Sequence, residues 1–283
     1  MKDILAAWVL VAAAALVAPA DVHAPTTSRQ LRFTVTVENP TGEVLREQVV
    51  SMYMPVSDAP GQKLTQLKVS HGHRIRRDAE SNTILDLTFE EVAPYETQIV
   101  TVLATVEMRS EPLPTKLSHR SMYVSPSQYI EVQDPEIRAV AGELRRSDER
   151  QTSRAIYDWV RSNLNYAGFV AEDLGARVAL QYRRGDCTEY AYLVAALARA
   201  NDIPARVLGG YVTAADAAPR GAEYHNWTEL YINGAWRLVD AQKERFLAGS
   251  DEYVTMRISG AHDPAMGNSH RYVVRGQLLV RVN

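Results

Sequence analysis

Asn233-Gly234 separates two β-type runs, Tyr224 to Ile232 and Ala235 to Asp240, in the stretch YHNWTELYINGAWRLVD. Both turn residues tolerate positive φ, which a tight two-residue turn requires, so the runs are predicted to close as a β-hairpin. A turn of that length pairs Tyr231 with Trp236, Glu229 with Leu238 and Trp227 with Asp240. Side chains two apart on a strand share a face, so His225 stands on the face of Trp227 and Asp240, diagonally within reach of that carboxylate. One more residue in the turn would send Asp240 to the opposite face.

The stretch RRGDCTEYAYLVAALARA, residues 183 to 200, contains Cys187, the single cysteine of the 283-residue chain. Tyr190, Leu193, Val194 and Leu197 recur at helical spacing, and the run stops at Asn201-Asp202 with Pro204 beyond. Asp186 and Glu189 have the spacing of a capping box, which puts Cys187 in the first turn of a helix. There the helix dipole and free N–H groups are expected to lower the thiol pKa, with the charge of Asp186 opposing them. Arg184-Gly185-Asp186 also matches an adhesion tripeptide, but the turn explains the glycine and capping explains the aspartate.

The N-terminus bears on what one thiol means. Met1-Lys2 precedes the uncharged run Ile4 to Val17, which fits a signal-peptide core and falls short of the about 20 residues a membrane span needs. Residues 1–20 are read as a signal peptide cleaved after Ala20. Cleavage after Ala24 is disfavoured by Pro25, and an uncleaved anchor is the alternative. The mature chain is thus expected to be exported, periplasmic or secreted, with no membrane attachment. In an oxidising compartment a lone cysteine is a free thiol or an intermolecular bridge, and the bland reading is a buried small apolar residue.

A thiol nucleophile needs a proton shuttle and a group to orient it. Cys187, His225 and Asp240 supply one of each, in that chain order. GDCTEYAYLVAALARANDIPARVLGGYV and YHNWTELYINGAWRLVDAQ resemble the nucleophile helix and the His-x-Trp hairpin of the transglutaminase-like superfamily, within the papain-like cysteine enzymes. Residues 129–166 are similar to the two helices that precede the cysteine in bacterial members. The resemblance implies an α+β fold, with the Cys-bearing helix packed on an antiparallel sheet. It also implies Cys187 as nucleophile, His225 as acid/base and Asp240 as orienting group, with no cofactor. Papain-like enzymes place an oxyanion-hole glutamine six residues before the nucleophile, which points to Gln181 with Tyr182 as rival. Asn226 departs from the small residue many members carry, and Ala241-Gln242 departs from their Pro-Thr.

The first hundred mature residues differ in kind. LRFTVTVENP, EQVVSMYMPV, TILDLTFEEV and TQIVTVLATVEM are short β-type runs between Asn, Pro and Gly breaks, which predicts an all-β sandwich at 29–110. A Pro/Ser-containing linker at 111–127 would lead to a catalytic domain at 128–283, its sheet finished by YVTMRIS and RYVVRGQLLVRVN. Lys plus Arg number 31 against 34 Asp plus Glu, a net charge of -3, which leaves no cationic excess for a nucleic-acid backbone. His71 and His73 share a strand face without the spacing of a metal site, so no metal is expected. The function expected from these residues is cysteine-dependent acyl transfer or hydrolysis on an amide, a glutamine carboxamide or a peptide bond. The substrate would be an extracytoplasmic protein or peptide, cell-envelope components included. The alternative is a non-catalytic envelope-binding module.

Overall fold

In a computed structural model, which describes residues 26–260 and 266–283, seven strands run in succession from the start: β1 (Thr26–Glu38), β2 (Leu45–Met54), β3 (Asp58–Ala59), β4 (Gln62–Val69), β5 (His73–Arg77), β6 (Thr83–Val92) and β7 (Thr97–Arg109). The signal-peptide segment 1–20 and both cleavage sites lie outside the described residues. Then follow α1 (Pro135–Leu144), α2 (Glu149–Asn163), β8 (Asn165–Tyr166), α3 (Ala176–Tyr182), β9 (Arg184–Gly185), α4 (Cys187–Ala200), β10 (Ala205–Val212), β11 (His225–Ile232), β12 (Ala235–Asp240), β13 (Arg245–Phe246), β14 (Tyr253–Ser259), β15 (Tyr272–Arg275) and β16 (Leu279–Val282). No helix among the described residues is long and apolar enough to cross a membrane.

Two sheets, ordered β16-β1-β7-β4-β3 and β15-β2-β6-β5, pack face to face. Alternation along β1 turns Leu31, Phe33, Val35 and Val37 inward, where they meet Val50, Met52, Leu85, Leu87 and Phe89 of the facing sheet. The last two strands correct one expectation. RYVVRGQLLVRVN does not finish the helix-backed sheet. β16 lies antiparallel on β1, Val35 opposite Val282, and β15 on β2, Met52 opposite Tyr272. The domain at 128–283 is therefore not contiguous: its last strands return to the sandwich. The physical reason is edge pairing, because β1 and β2 would otherwise present unpaired backbone groups and a core open at Leu278, which is buried.

The helix-backed sheet is five-stranded, ordered β13-β12-β11-β10-β14. Asn233 and Gly234 both have positive φ, 53° and 78°, as the turn requires, and the hairpin has the expected register, with Tyr231 opposite Trp236 and Glu229 opposite Leu238. One face of the sheet carries α4 through Leu230, Ile232 and Val239, and Thr228 Oγ1 donates to the Ala191 carbonyl at 2.8 Å. The other face presents Leu208, Trp227, Leu238 and Tyr253 toward Val56 of the sandwich. Helix α4 is thus walled in by β11 and β10 on one side and by α1, α2 and α3 on the other, and its side chains from Thr188 to Arg199 are buried. Burying a Leu193 or Val194 there contributes about 1.5–3 kcal/mol each.

The segment 111–127 holds one 3-10 turn, Arg120–Tyr123, and is tied down at several points. The Thr115 N–H donates to the Gly234 carbonyl at 2.9 Å, and the Tyr231 hydroxyl donates to the Thr115 carbonyl at 2.5 Å. Arg199 Nη1 donates to the Ser125 carbonyl at 2.7 Å.

Candidate active site

Cys187 opens α4. The Asp186 carboxylate accepts from the Thr188 N–H at 2.7 Å, and Glu189 accepts from the Asp186 N–H at 3.1 Å, closing the capping box. Both carboxylates also hold the preceding loop, Asp186 through the Val170 N–H and Glu189 through the Leu174 N–H. A Cβ on Gly185 would lie 2.3 Å from the Glu189 Cβ, so only glycine lets the chain enter the helix this closely.

His225 begins β11 and Asp240 ends β12. His225 Nε2 lies 2.6 Å from Asp240 Oδ2, the diagonal contact that the two-residue turn predicts. Asp240 is only 3% exposed and fully engaged: its Oδ2 also accepts from the Tyr253 hydroxyl at 3.0 Å, and its Oδ1 accepts from the N–H groups of Gln242 and Lys243. With the carboxylate accepting, Nε2 carries a ring proton, which leaves Nδ1 as the nitrogen not engaged by Asp240. Trp227 stacks beside the imidazole, ring centroids 6.2 Å apart. Tyr253 was not anticipated from sequence, since its strand pairs with β10 and its reach to Asp240 is a tertiary contact.

Cys187 and His225 line one cavity of about 500 Å³, with Tyr166, Tyr211, Tyr224, Gln242 and Lys243. Neither Gln181 nor Tyr182 lines it; both are exposed at the end of α3, correcting the oxyanion expectation. α3 buries Ala176, Ala179 and Leu180, which turns its last residues to solvent before Arg183 reverses the chain at φ 54°. The aromatic ring beside the thiol is instead Tyr166, brought there because β8 and β9 pair in parallel and set Tyr166 opposite Gly185. The rest of the wall is the segment 213–224, which the sandwich holds: Ala217 exchanges backbone hydrogen bonds with Gln30 and Arg32 of β1, each 2.9 Å, and Asp216 accepts from the Gln30 N–H.

The thiol differs from the sequence expectation. Burial pushes the Cys187 pKa up to about 11, and the Asp186 charge adds to the rise. The dipole argument loses because the sulfur is partly dehydrated under the cavity wall and sits next to a carboxylate. Hydrogen bonds from Asn226 and Thr188 pull the other way. The Asn226 amide donates to Thr188 Oγ1 at 2.9 Å and lies 3.9 Å from the sulfur. Asn226 is one residue past His225, so it occupies the opposite face of β11, toward α4. Its position next to the histidine was legible; its contact with the sulfur was not.

On the sandwich His71 is half-buried, stacked on Phe89, and His73 is exposed, and among the described residues no group of three or more His, Cys, Asp and Glu is placed to hold a metal.

A scan of the sequence against protein families matches the transglutaminase-like superfamily over residues 138–241, the stretch that holds Cys187, His225 and Asp240. Over that stretch the chain carries a transglutaminase-like domain. Among solved structures, a candidate cysteine protease from Cytophaga hutchinsonii is similar to the chain at 18% identity, with 92% of each chain covered and a TM-score of 0.58. The periplasmic domain of TgpA from Pseudomonas aeruginosa is similar at 19% identity over 72% of this chain and 71% of that one, TM-score 0.43. A comparison with curated protein sequences found no match. The first likeness extends the shared fold beyond the transglutaminase-like domain to nearly the whole chain, sandwich included. Members of this superfamily are typically cysteine enzymes.

Proposed function

We propose that this protein is an exported cysteine enzyme that attacks an amide, either a glutamine carboxamide or a peptide bond, of an extracytoplasmic protein or peptide. The observation that carries the reading is the His225–Asp240 contact of 2.6 Å at the edge of a cavity that also holds the Cys187 thiol. A buried imidazole held by a buried carboxylate has little structural purpose at the mouth of a cavity, and it is what a thiol nucleophile needs.

In this mechanism the Cys187 proton passes to His225 Nδ1 as Sγ adds to the amide carbon, and the carbonyl π pair moves onto oxygen. Asp240 stabilises the resulting imidazolium through the Nε2–H bond. The oxyanion is received by the N–H of Cys187 at the open end of α4. Collapse of the intermediate expels the amide nitrogen, which takes the Nδ1 proton, and leaves a thioester on Sγ. Water or an amine, deprotonated by Nδ1, then attacks the thioester carbon and frees the thiol.

The high thiol pKa favours transfer of the proton to His225 within the substrate complex over a thiolate standing ready at rest. Incubating the protein with a glutamine-containing peptide, with and without a primary amine, tests the reading. Ammonia release, or cleavage of the peptide, should occur with the wild type and be absent in Cys187→Ala. Equal turnover by both proteins would reject the thiol mechanism. Product mass then separates transfer to the amine from hydrolysis.

A further inference from the structure

We propose that a second cavity, separate from the thiol, binds a small monoanionic carboxylate carried on a ring. The cavity holds about 390 Å³ and lies where the segment 122–130, α4 and β14 meet. That is ligand-sized, since small-molecule sites run from about 300 to 1,000 Å³ and favour junctions of this kind.

Its walls are of two kinds. Tyr129 and Tyr192 stack nearly parallel, centroids 5.4 Å apart and planes 20° from one another, and Tyr53 and Tyr123 also line the space. Flat tyrosine faces suit a flat ring or the C–H face of a sugar ring. The second kind is cationic. The Arg257 guanidinium lies over the Tyr53 ring at 5.8 Å and has no hydrogen-bond or ion-pair acceptor among the described residues. Its fork of donors matches the two oxygens of a carboxylate. Arg199, also in the wall, is occupied by the carbonyls of Ala205 and Ser125 and contributes positive charge without a free donor edge toward a ligand.

Two carboxylates limit the charge the cavity takes: Asp173 in the wall, and Glu80, which packs against the lining residue Gly260 and whose charge acts on Tyr123 and Arg199. Asp173 accepts from the Tyr192 hydroxyl at 2.7 Å and from His270 Nε2 at 3.0 Å. Burial alone would raise its pKa, but the His270 bond and charge outweigh that and hold the carboxyl below its usual range. Asp173 is therefore ionised at neutral pH and already partnered. Arg257 and Arg199 are set against the carboxylates of Asp173 and Glu80, so the wall holds no surplus of positive charge for a dianion, and the donor edge of Arg257 favours a monoanion over phosphate.

The test uses the full chain with three probes, 4-hydroxybenzoate, glucuronate and inorganic phosphate, read by isothermal titration calorimetry. One or both ring acids should bind, and which of them binds tells an aromatic acid from a sugar acid. Phosphate should not bind measurably. Arg257→Gln should weaken binding by about tenfold or more and Arg257→Lys by less, because lysine keeps the charge and loses the fork. Should the Gln variant fold poorly, the Lys variant carries the comparison. Binding should survive carboxamidomethylation of Cys187, which fills the thiol cavity and leaves this one untouched. The proposal is overturned if neither ring acid binds, if phosphate binds as well as they do, if Arg257→Gln leaves affinity unchanged, or if alkylation of Cys187 abolishes binding. None of these outcomes depends on turnover, so failure here and failure of the amide chemistry are distinguishable.

Discussion

With its pKa raised to about 11 by burial and by Asp186, Cys187 is protonated at neutral pH, and its thiolate fraction grows tenfold for each pH step on the way up. The rate of alkylation by iodoacetamide should therefore keep climbing from about pH 8 toward 11 instead of levelling near neutrality. A plateau near pH 7 would mean a preformed thiolate–imidazolium pair. Asn226→Ala removes an amide that lies 3.9 Å from the sulfur, so the alkylation profile should move to still higher pH while the fold is retained. An unmoved midpoint would leave Asn226 as a packing residue tied only to Thr188. For Asp240→Asn the expected outcome is a fall of about 10³ to 10⁴ in kcat, because an amide nitrogen facing Nε2 favours the wrong imidazole tautomer. Its melting temperature, followed by circular dichroism, should change little, since Oδ1 can still accept from Gln242 and Lys243.

At the level of elements, the start of α4 and the β11–β12 hairpin do the positioning. Gly185→Ala would drive a Cβ to 2.3 Å from Glu189, and the strain should cost about 1–3 kcal/mol in urea unfolding and shift the capping box that places the thiol. The hairpin can be tested by length. Adding one glycine after Gly234 should leave β11 on β10 but turn Asp240 away from His225, so that activity is lost although the sheet persists. The spectrum of the variant should remain that of the wild type. Neither Gly185 nor Gly234 lines the thiol cavity, which is why an effect on turnover would report placement and not chemistry.

Across the whole molecule, the two halves are interlocked. β15 and β16 reach back to β2 and β1, and β1 holds the 213–224 wall of the thiol cavity through Ala217. Limited proteolysis within 111–127 should consequently give a nicked protein that elutes as one species on native gel filtration and still reacts at Cys187. Two separated fragments would contradict the strand pairing. A chain ending at Gly260 should expose the edges of β1 and β2 and associate or aggregate, whereas its α4-backed sheet loses no strand.

The sequence alone determined what local chemistry dictates. Asn233-Gly234 admits one tight turn, and that turn sets the face of Asp240. Asp186 and Glu189 cap α4 wherever the helix lies, so Cys187 at its first turn was legible too. Alternating apolar runs announced a sandwich, because a strand with one greasy face must bury it. What it could not contain were facts about partners distant in the chain. The last two strands read as strands, but the edge they join depends on which backbone groups are left unpaired by the rest of the fold. Gln181 stood at a plausible spacing, yet the buried face of α3 turned it outward and the pairing of β8 with β9 put Tyr166 beside the thiol instead. The thiol pKa follows the same rule: the dipole and the opposing Asp186 charge can be read from a few residues, whereas dehydration is set by walls drawn from Tyr166, Tyr224 and a loop held by β1, and only the tertiary structure brings those together.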